Sequence, residues 1–372
     1  MPDVLFVTVD GGGNVPPALG IAREIARRGG IVRFLGHEAQ RGRIEGAGFR
    51  FQPFVQGMDY DSAAPRSTFK GVMDLTRLFA DTGIGKDTVK AAGAESTDIV
   101  VIDTLIYRAV EDTVRAGLPV VQLMHTFSGF HASAAKGPLG MISRVRGAHP
   151  AASLKAPKLT LVTTRPEFDE NAMPGVKHTG FIWQGTPVEA TPRSTPRILL
   201  SLSTTSFPGQ AAAMQRAIDG LGELDAEVIV TTGPSIDPNS IRPARNTTIA
   251  RFIDHGEILS TTSLVISHGG HSTMSRALAY GIPMLVRPSH PLADQPRSAA
   301  VIEQLGLGLS IAPKASAAAF RDAAALVLAD DGIRDRAWTI GRDIRAKDGA
   351  VVAMDLLEAF AGTDKPWAGC GA

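Results

Sequence analysis

The chain has 372 residues, enough for two domains that each bury a core of their own. Its 38 basic and 37 acidic residues nearly cancel, so the net charge provides no field of one sign that would attract nucleic acid or an anionic membrane. The one cysteine, Cys370, excludes a disulfide framework and a thiolate metal cluster, and it fits a reducing cytoplasm.

The first residues, MPDVLFVTVDGGG, lack the basic region, the long apolar segment and the small-residue cleavage site of a signal peptide. Apolar runs also stay well short of the roughly 18 residues that a membrane-spanning helix needs. We therefore expect a cytoplasmic protein without membrane insertion.

Short β-branched runs alternate with longer segments of helical period, which is typical of parallel strands joined by crossover helices. The first series of predicted strands is VLFVTV, IVRFLG, RFQPF, DIVVID, PVVQLM and KLTLVTT. The second is PRILLSLS, AEVIVTTG, TTIARF, SLVISHG, PMLVRPS and GLSIAP. Between them, QGTPVEATPRSTP is rich in Pro and Thr and is predicted to be a linker.

The two series predict an α/β fold of two Rossmann-like, doubly wound domains that face a cleft, with boundaries at residues 1–188 and 189–354. Open parallel sheets bind ligands at the carboxyl ends of their strands, so the cleft is the expected ligand site. In the last region, residues 355–372, we expect a C-terminal helix and tail, with the apolar stripe of AVVAMDLLEAFAG packing back on the first domain.

The first strand is followed by VDGGGNVPPALGIA, residues 9–22, which opens the first helix. This turn lacks the third glycine of a dinucleotide fingerprint, and no acidic residue directly follows the next strand. An NAD-dependent oxidoreductase therefore fits poorly. The nine histidines form no His-x-x-x-His pair and cysteine ligands are absent, so we expect no metal.

In the second half, the strand SLVIS runs into a polar corner, His268-Gly269-Gly270, and a helix over STMSRALAY follows. Free amides at a helix N-terminus bind phosphate, glycines let the ligand approach, and Ser272 and Thr273 could add hydroxyl donors. The alternative is an ordinary tight turn in which Ser272 caps the helix.

The neighbouring motifs favour a ligand. The ordered set of RFIDHGEIL, His-Gly-Gly, Gly-Ile-Pro and HPLADQP resembles the donor-binding half of the bacterial and plant small-molecule glycosyltransferases, which have the GT-B fold of two Rossmann-like domains. The resemblance covers residues 252–298 closely and the rest of the chain by architecture.

The resemblance implies a donor site with separate contacts for the base, the diphosphate and the sugar of a dTDP- or UDP-sugar. Two of these contacts have a structural alternative: Asp294 and Gln295 could be part of a solvated loop before a helix, and residues 201–206 could be an ordinary helix-capping run. The implied contacts are Phe252, Ile253 and His255 for the base, His268, Gly269, Gly270, Ser272 and Thr273 for the diphosphate, Asp294 and Gln295 for the sugar hydroxyls, and Ser203 and Thr204 in the loop that closes over phosphates and sugar.

Two positions depart from the family's pattern. Arg276 stands where many relatives have a glutamate that binds the ribose hydroxyls, and an arginine cannot accept those protons, which favours a 2′-deoxyribose donor. The path from Pro288 to Asp294 is about two residues longer than usual by comparison with the motif, so His290 becomes a donor contact peculiar to this chain.

The acceptor-side base is also displaced. The family's catalytic histidine corresponds to Asn14, whose amide cannot take a proton, while Asp103 matches the aspartate that orients the histidine. Candidate bases are Asp103 first, then His125 at another strand end, then Asp10. Each has a structural alternative: Asp103 as a helix cap, His125 as a core histidine, and Asp10 as a tie for the glycine turn.

Together these features predict an inverting, metal-independent glycosyltransferase that needs no cofactor beyond the sugar nucleotide as co-substrate. Its acceptor is expected to be a small, mostly apolar natural product with a phenol, an enol or a nucleophilic carbon, because such groups tolerate a poor base. The alternatives are a non-catalytic sugar-nucleotide-binding partner of an active transferase and a sugar-nucleotide epimerase. We expect a monomer or homodimer whose acceptor contacts are Asn14, Val15, His125, Phe127 and the segment 58–85.

Overall fold

The computed structural model describes residues 1–183, 185–191, 193–202 and 204–363. Three sequence predictions therefore lie outside the described residues: the donor contact Ser203, the cysteine Cys370 and the tail after residue 363.

The strands of the described chain include all twelve that the sequence predicted. One further strand, β7, has only two residues and was missed because so short a segment carries no periodic pattern. The strands are β1 Asp3–Val7, β2 Ile31–Gly36, β3 Arg50–Pro53, β4 Ile99–Asp103, β5 Val120–Met124, β6 Leu159–Val162, β7 Lys177–His178, β8 Arg197–Ser201, β9 Glu227–Thr231, β10 Thr247–Ala250, β11 Leu264–Ser267, β12 Met284–Val286 and β13 Gly308–Ser310.

Helices fill most of the connections between strands, as crossover connections of parallel sheets require. They are α1 Val15–Arg27, α2 Arg41–Glu45, α3 Thr68–Phe79, α4 Thr82–Ala94, α5 Tyr107–Arg115, α6 Ser128–Lys136, α7 Pro138–Val145, α8 Pro150–Ser153, α9 Gln210–Leu221, α10 His255–Leu259, α11 His271–Ala279, α12 Gln295–Gln304, α13 Ala317–Ala329, α14 Asp331–Arg345 and α15 Gly349–Thr363.

The chain divides into two compact units. The first comprises Met1–Ser62, Thr68–Gln184 and Asp348–Ala372, and the second comprises Ala63–Ser67 and Gly185–Lys347. The sequence predicted the corresponding boundaries at residues 188 and 354. The second boundary lies earlier than predicted because α15 begins at Gly349 and belongs whole to the first unit.

The first unit is built on a parallel sheet with the strand order β3-β2-β1-β4-β5-β6-β7. Its central strands are apolar and buried on both faces, as parallel strands covered by helices must be. The predicted packing of the C-terminal helix on the first domain is confirmed: Met354 and Leu357 of α15 join the core that α1 covers, and Arg28 after α1 pairs with Asp355 and Glu358 at 2.7 and 2.9 Å.

The second unit repeats the plan with the order β10-β9-β8-β11-β12-β13, again all parallel. Its core lies between this sheet and helices α9 and α13. In both units the strand order reverses direction beside the first strand, between β1 and β4 and between β8 and β11. Ligands of such sheets bind at these switch points, so the loops after β1, β4, β8 and β11 are where a site is expected.

Candidate active site

The polar corner of the second unit lies at its switch point, where β11 ends at Ser267. Gly269 has φ +88°, and a Cβ on it would lie 2.9 Å from Val286 Cγ1 and 3.1 Å from the carbonyl oxygen of Gln295. Both the left-handed conformation and the crowding require glycine here. The corner therefore turns the chain sharply from β11 into α11.

Helix α11 begins one residue earlier than predicted, with Gly270 as its N-cap and no side chain capping it. Ser272 therefore does not cap the helix in the way that the alternative interpretation of this corner expects. The first intrahelical bond runs from the Met274 amide to the Gly270 carbonyl at 3.0 Å. The amides before Met274 have no acceptor within the helix and sit at its positive end, which suits a phosphate.

His268 covers this N-terminus. A Cβ on Gly270 would lie 2.6 Å from His268 Nε2, so the ring lies directly against the helix start. His268 Nδ1 is buried and has no hydrogen-bond partner in the described part of the chain. Burial, and secondarily Arg287, lowers the pKa of His268 to about 4. A pKa this low leaves the ring neutral at pH 7, with one N–H donor and no charge.

The predicted sugar contacts lie at the start of α12, where the loop after β12 ends. Gln295 is buried, and its Oε1 accepts hydrogen bonds from the Ser289 and His290 amides at 2.6 and 3.0 Å. Its oxygen is therefore occupied, and only its side-chain NH2 group is left to donate to a ligand. Asp294 is the half-buried N-cap residue of α12. Gln295 thus holds the shape of this loop, a role that the sequence did not predict.

Phe207 joins the loop to the polar corner. Its ring centroid lies 6.3 Å from that of His268 and 6.1 Å from that of His290. His290 Nδ1 accepts from the Leu292 amide at 3.2 Å, and burial lowers the pKa of His290, so the neutral ring carries its proton on Nε2. Two neutral imidazoles therefore flank one aromatic ring. Phe207 itself was missed because a lone aromatic residue carries no sequence signal.

Phe252 is 80% exposed, which is unusual for a residue of this size. Next to it, Asp254 caps α10 by accepting from the Gly256 amide at 2.9 Å, and the same oxygen pairs with Arg276 Nη2 at 2.7 Å. The Gly256 amide and Arg276 together hold the pKa of Asp254 below its usual value. Arg276 is therefore tied to Asp254 beside the exposed ring.

Two other predicted donor contacts take up neighbouring positions. His255 is the first residue of α10, and burial, with Arg276 second, lowers its pKa to about 4. Ile253 is half-buried between Phe252 and Asp254. In the loop after β8, the Thr204 carbonyl accepts from Ser235 Oγ at 3.1 Å.

In the first unit, three predicted residues meet at the switch point. Asn14 Nδ2 donates to Asp103 Oδ2 at 2.5 Å, and the Leu105 amide donates to Asp103 Oδ1 at 2.9 Å. His125 Nε2 lies 3.0 Å from Asp103 Oδ2. The parallel register of β1, β4 and β5 brings these loop residues together.

The His125 ring lies close to Asp103 without forming a hydrogen bond to it. Its side chain is largely buried, and neither ring nitrogen has an aligned hydrogen-bond partner among the residues that the structure describes. The Nε2 contact with Asp103 is close but lacks hydrogen-bond alignment. A small rotation of the ring would complete a His–Asp pair.

A second buried histidine lies near this pair and was missed from the sequence. Burial lowers the pKa of His131 on α6 to about 4, while the charge of Asp103 opposes that shift. Burial and then Asp103 raise the pKa of Tyr107. Asp103 is therefore a carboxylate surrounded by buried titratable side chains, which the sequence could not reveal because they come from separate helices.

The other first-unit predictions have structural contacts. Asp10 Oδ2 accepts from the Ser62 amide at 2.6 Å, and the Asp10 amide donates to His37 Nδ1 at 3.0 Å. No contact joins Asp10 to Asp103 or His125 among the described residues. Phe127 is fully buried and Val15 nearly so, which leaves them no surface for an acceptor.

In the part of the chain that the structure describes, no group of three or more His, Cys, Asp or Glu side chains is placed to hold a metal ion. Nor does any helix in that part combine the length and apolar character needed to cross a membrane.

Comparisons with known proteins connect these sites to a family. The family described as "Erythromycin biosynthesis protein CIII-like, C-terminal domain" matches residues 215–358. A 4′-demethylrebeccamycin synthase from Lentzea aerocolonigenes is 23% identical over an alignment that covers 95% of this chain and 98% of that protein.

Solved structures agree in fold. The calicheamicin glycosyltransferase CalG4 aligns with a TM-score of 0.78 at 21% identity, covering 98% of this chain and 100% of that one. The spinosyn rhamnosyltransferase SpnG, in complex with thymidine diphosphate, aligns with a TM-score of 0.73 at 20% identity over 95% of this chain and 100% of that one. The chain thus carries an EryCIII-like C-terminal domain, has the GT-B fold and is a homologue of natural-product glycosyltransferases, as its motifs indicated.

Proposed function

We propose that this protein transfers a sugar from a dTDP- or UDP-sugar to a small, mostly apolar acceptor, with inversion at the anomeric carbon. The observation that carries the proposal is the N-terminus of α11, which no side chain caps, beneath the neutral ring of His268, whose Nδ1 has no hydrogen-bond partner among the described residues. Helix amides and a neutral N–H donor suit a diphosphate, whose charge grows as it leaves. The exposed ring of Phe252 is a surface on which the nucleotide base can stack.

We favour dTDP over UDP as the nucleotide of the donor. Arg276 is a pure donor already paired with Asp254, so it gives a ribose 2′-hydroxyl no acceptor. A relative of the same fold is complexed with thymidine diphosphate, which supports this choice. The proposed sugar contacts are His290, the side-chain NH2 group of Gln295, and Asp294.

We assign the catalytic base to His125 and not to Asp103, which the sequence ranked first. Asp103 is buried, and each of its carboxylate oxygens already accepts one hydrogen bond, from Asn14 and from Leu105, so it is better placed to orient His125 than to take a proton from the acceptor. A small rotation of the ring would align Nε2–H with Asp103, and Nδ1, now buried and without a hydrogen-bond partner among the described residues, is then the nitrogen that takes the acceptor proton. The acceptor oxygen then forms the bond to the anomeric carbon while the bond to the diphosphate oxygen breaks.

The second candidate function is a sugar-nucleotide-binding partner that performs no transfer. Asn14 favours it, because an amide occupies the position of the family's base. Slow hydrolysis of a dTDP-sugar in the absence of acceptor separates the two: an enzyme releases dTDP through an activated water, and a pure binder does not.

The test of the proposed function is a thermal shift of the purified protein with dTDP, UDP, GDP, ADP and NAD. A ligand at 100 times its dissociation constant adds about 2.7 kcal/mol, which a melting curve detects. We expect the largest shift with dTDP and a smaller one with UDP. A shift with NAD, or none with dTDP and UDP, would contradict the proposal.

A further inference from the structure

Helices α3 and α7 of the first unit lie in contact and expose large apolar side chains. Phe69 on α3 is 76% exposed, and Met141 and Val145, one turn apart on α7, are 58% and 90% exposed. Isolated exposed apolar residues are ordinary, but three large ones on adjacent helices are typical of a binding surface. We call these two helices, with Arg146 directly after α7, the α3–α7 surface.

Arg146 links the two helices and lacks a proper partner. Its Nη2 lies 3.8 Å from Met73 Sδ on α3, and a thioether is a weak acceptor. Its Nε is buried without a hydrogen bond, and in the described chain no carboxylate pairs with its guanidinium. A partly buried charge without an anion is costly, so this arrangement calls for an acidic group from outside the chain.

The surrounding sequence is acid-free although the whole chain is nearly neutral. Residues 113–166 contain no Asp or Glu, so the carboxylates that pair with basic residues of this segment lie outside it, as Asp112 does for Arg115 and Glu167 for Arg165. Lys136 and Arg144 are exposed and have no ion pair within the described residues. The basic residues of this segment are Arg115, Lys136, Arg144, Arg146, Lys155, Lys158 and Arg165.

We propose that the α3–α7 surface binds an amphiphilic anion, an organic molecule with an apolar ring system or chain and one acidic group. The apolar body covers the exposed side chains, and the acidic oxygens accept from the Arg146 guanidinium, which has several donors to offer. Binding itself is independent of catalysis. That this anion is the acceptor, and hence that the acceptor is acidic, rests on the transferase function proposed above.

The test uses two fluorescent dyes of similar shape, anionic 8-anilinonaphthalene-1-sulfonate and neutral N-phenyl-1-naphthylamine, titrated onto the full chain. The sulfonate is expected to bind more tightly. Arg146→Gln should weaken sulfonate binding about tenfold or more and leave the neutral dye unchanged, because a charge-assisted hydrogen bond is lost. Arg144→Gln, an exposed arginine of α7, is the matched control and should have a much smaller effect. Arg146→Lys, which keeps the charge, should retain part of the affinity.

Equal affinity for the two dyes, or sulfonate binding that depends on Arg144 and not on Arg146, would overturn the inference. Co-sedimentation with phosphatidylglycerol vesicles without saturable dye binding would overturn it in favour of a membrane surface. Melting temperatures of the variants control for folding; if Arg146→Gln does not fold, the Arg146→Lys titration decides. Failure of dTDP to shift the melting temperature would contradict the transferase while leaving this binding intact, so the two proposals fail separately.

Discussion

The polar corner at α11 and the Asn14–Asp103–His125 cluster occupy equivalent switch points of two similar sheets, yet they are built differently. The first is made mainly of backbone: a left-handed glycine, a glycine N-cap and the first amides of a helix, which have no acceptor within it. The second is made of side chains from three loops. A site made of backbone requires glycines at particular positions of the sequence. In a site made of side chains, a lost residue can be replaced by one from a neighbouring strand.

The largest expected effect tests whether His125 serves as the base in place of the histidine that Asn14 replaces. We expect His125→Ala to lower kcat by about 10²–10⁴, the usual contribution of a positioned general base, with little change in the dTDP thermal shift. Asp103→Asn should lower kcat as well, because the amide no longer stabilises a protonated His125. Steady-state transfer rates with a dTDP-sugar and a phenolic acceptor measure both.

Asp10→Asn is the matched control, since Asp10 binds the Ser62 amide in the same unit without touching the cluster. An undiminished rate in His125→Ala, together with a large loss in Asp103→Asn, would return the role of base to Asp103.

The same contrast explains what the sequence could and could not predict. All twelve predicted strands, the two doubly wound sheets and the docking of α15 follow from local apolar patterns and are confirmed. The turn at His268–Gly270 could be predicted because two glycines between an apolar strand and a helix indicate a sharp change of chain direction. Strand β7 was missed because its two residues carry no periodic pattern. The burial of Phe127 and the loop-holding role of Gln295 were not predicted, because they depend on tertiary packing and on the folded shape of the loop.

Identification of the base sits between these cases. The sequence named Asn14, Asp103 and His125, yet it could not place the histidine ring 3.0 Å from the carboxylate. That distance depends on the register of β4 with β5, which spacing along the chain does not reveal.

A smaller effect is expected at the backbone-built corner. His268→Ala should weaken dTDP binding by about tenfold, the value of one hydrogen bond to a charged group, and leave the helix amides in place. Since burial lowers the pKa of His268 to about 4, the ring is neutral throughout the neutral range, and the wild-type dTDP affinity should not change between pH 6.5 and pH 8 through titration of this residue. Calorimetric titration at several pH values measures both.

The matched control at this corner is Ser275→Ala, whose hydroxyl donates to the Ser272 carbonyl within α11. This variant should bind dTDP as the wild type does. Unchanged affinity in His268→Ala would remove the histidine from the phosphate site, and a steep gain in affinity below pH 7 would mean that the ring acts as a cation.

The smallest expected effect concerns nucleotide choice, where a side chain modifies the backbone-built region. Arg276→Glu replaces a pure donor by an acceptor and should raise the affinity for UDP relative to dTDP about two- to tenfold, the range of one net hydrogen bond. Arg276→Gln is the control, because it removes the pair with Asp254 and introduces no carboxylate. It should move the ratio less. If the UDP to dTDP ratio stays the same in both variants, Arg276 serves only to hold Asp254 and the cap of α10, and the nucleotide preference must come from the base-stacking side of the site around Phe252.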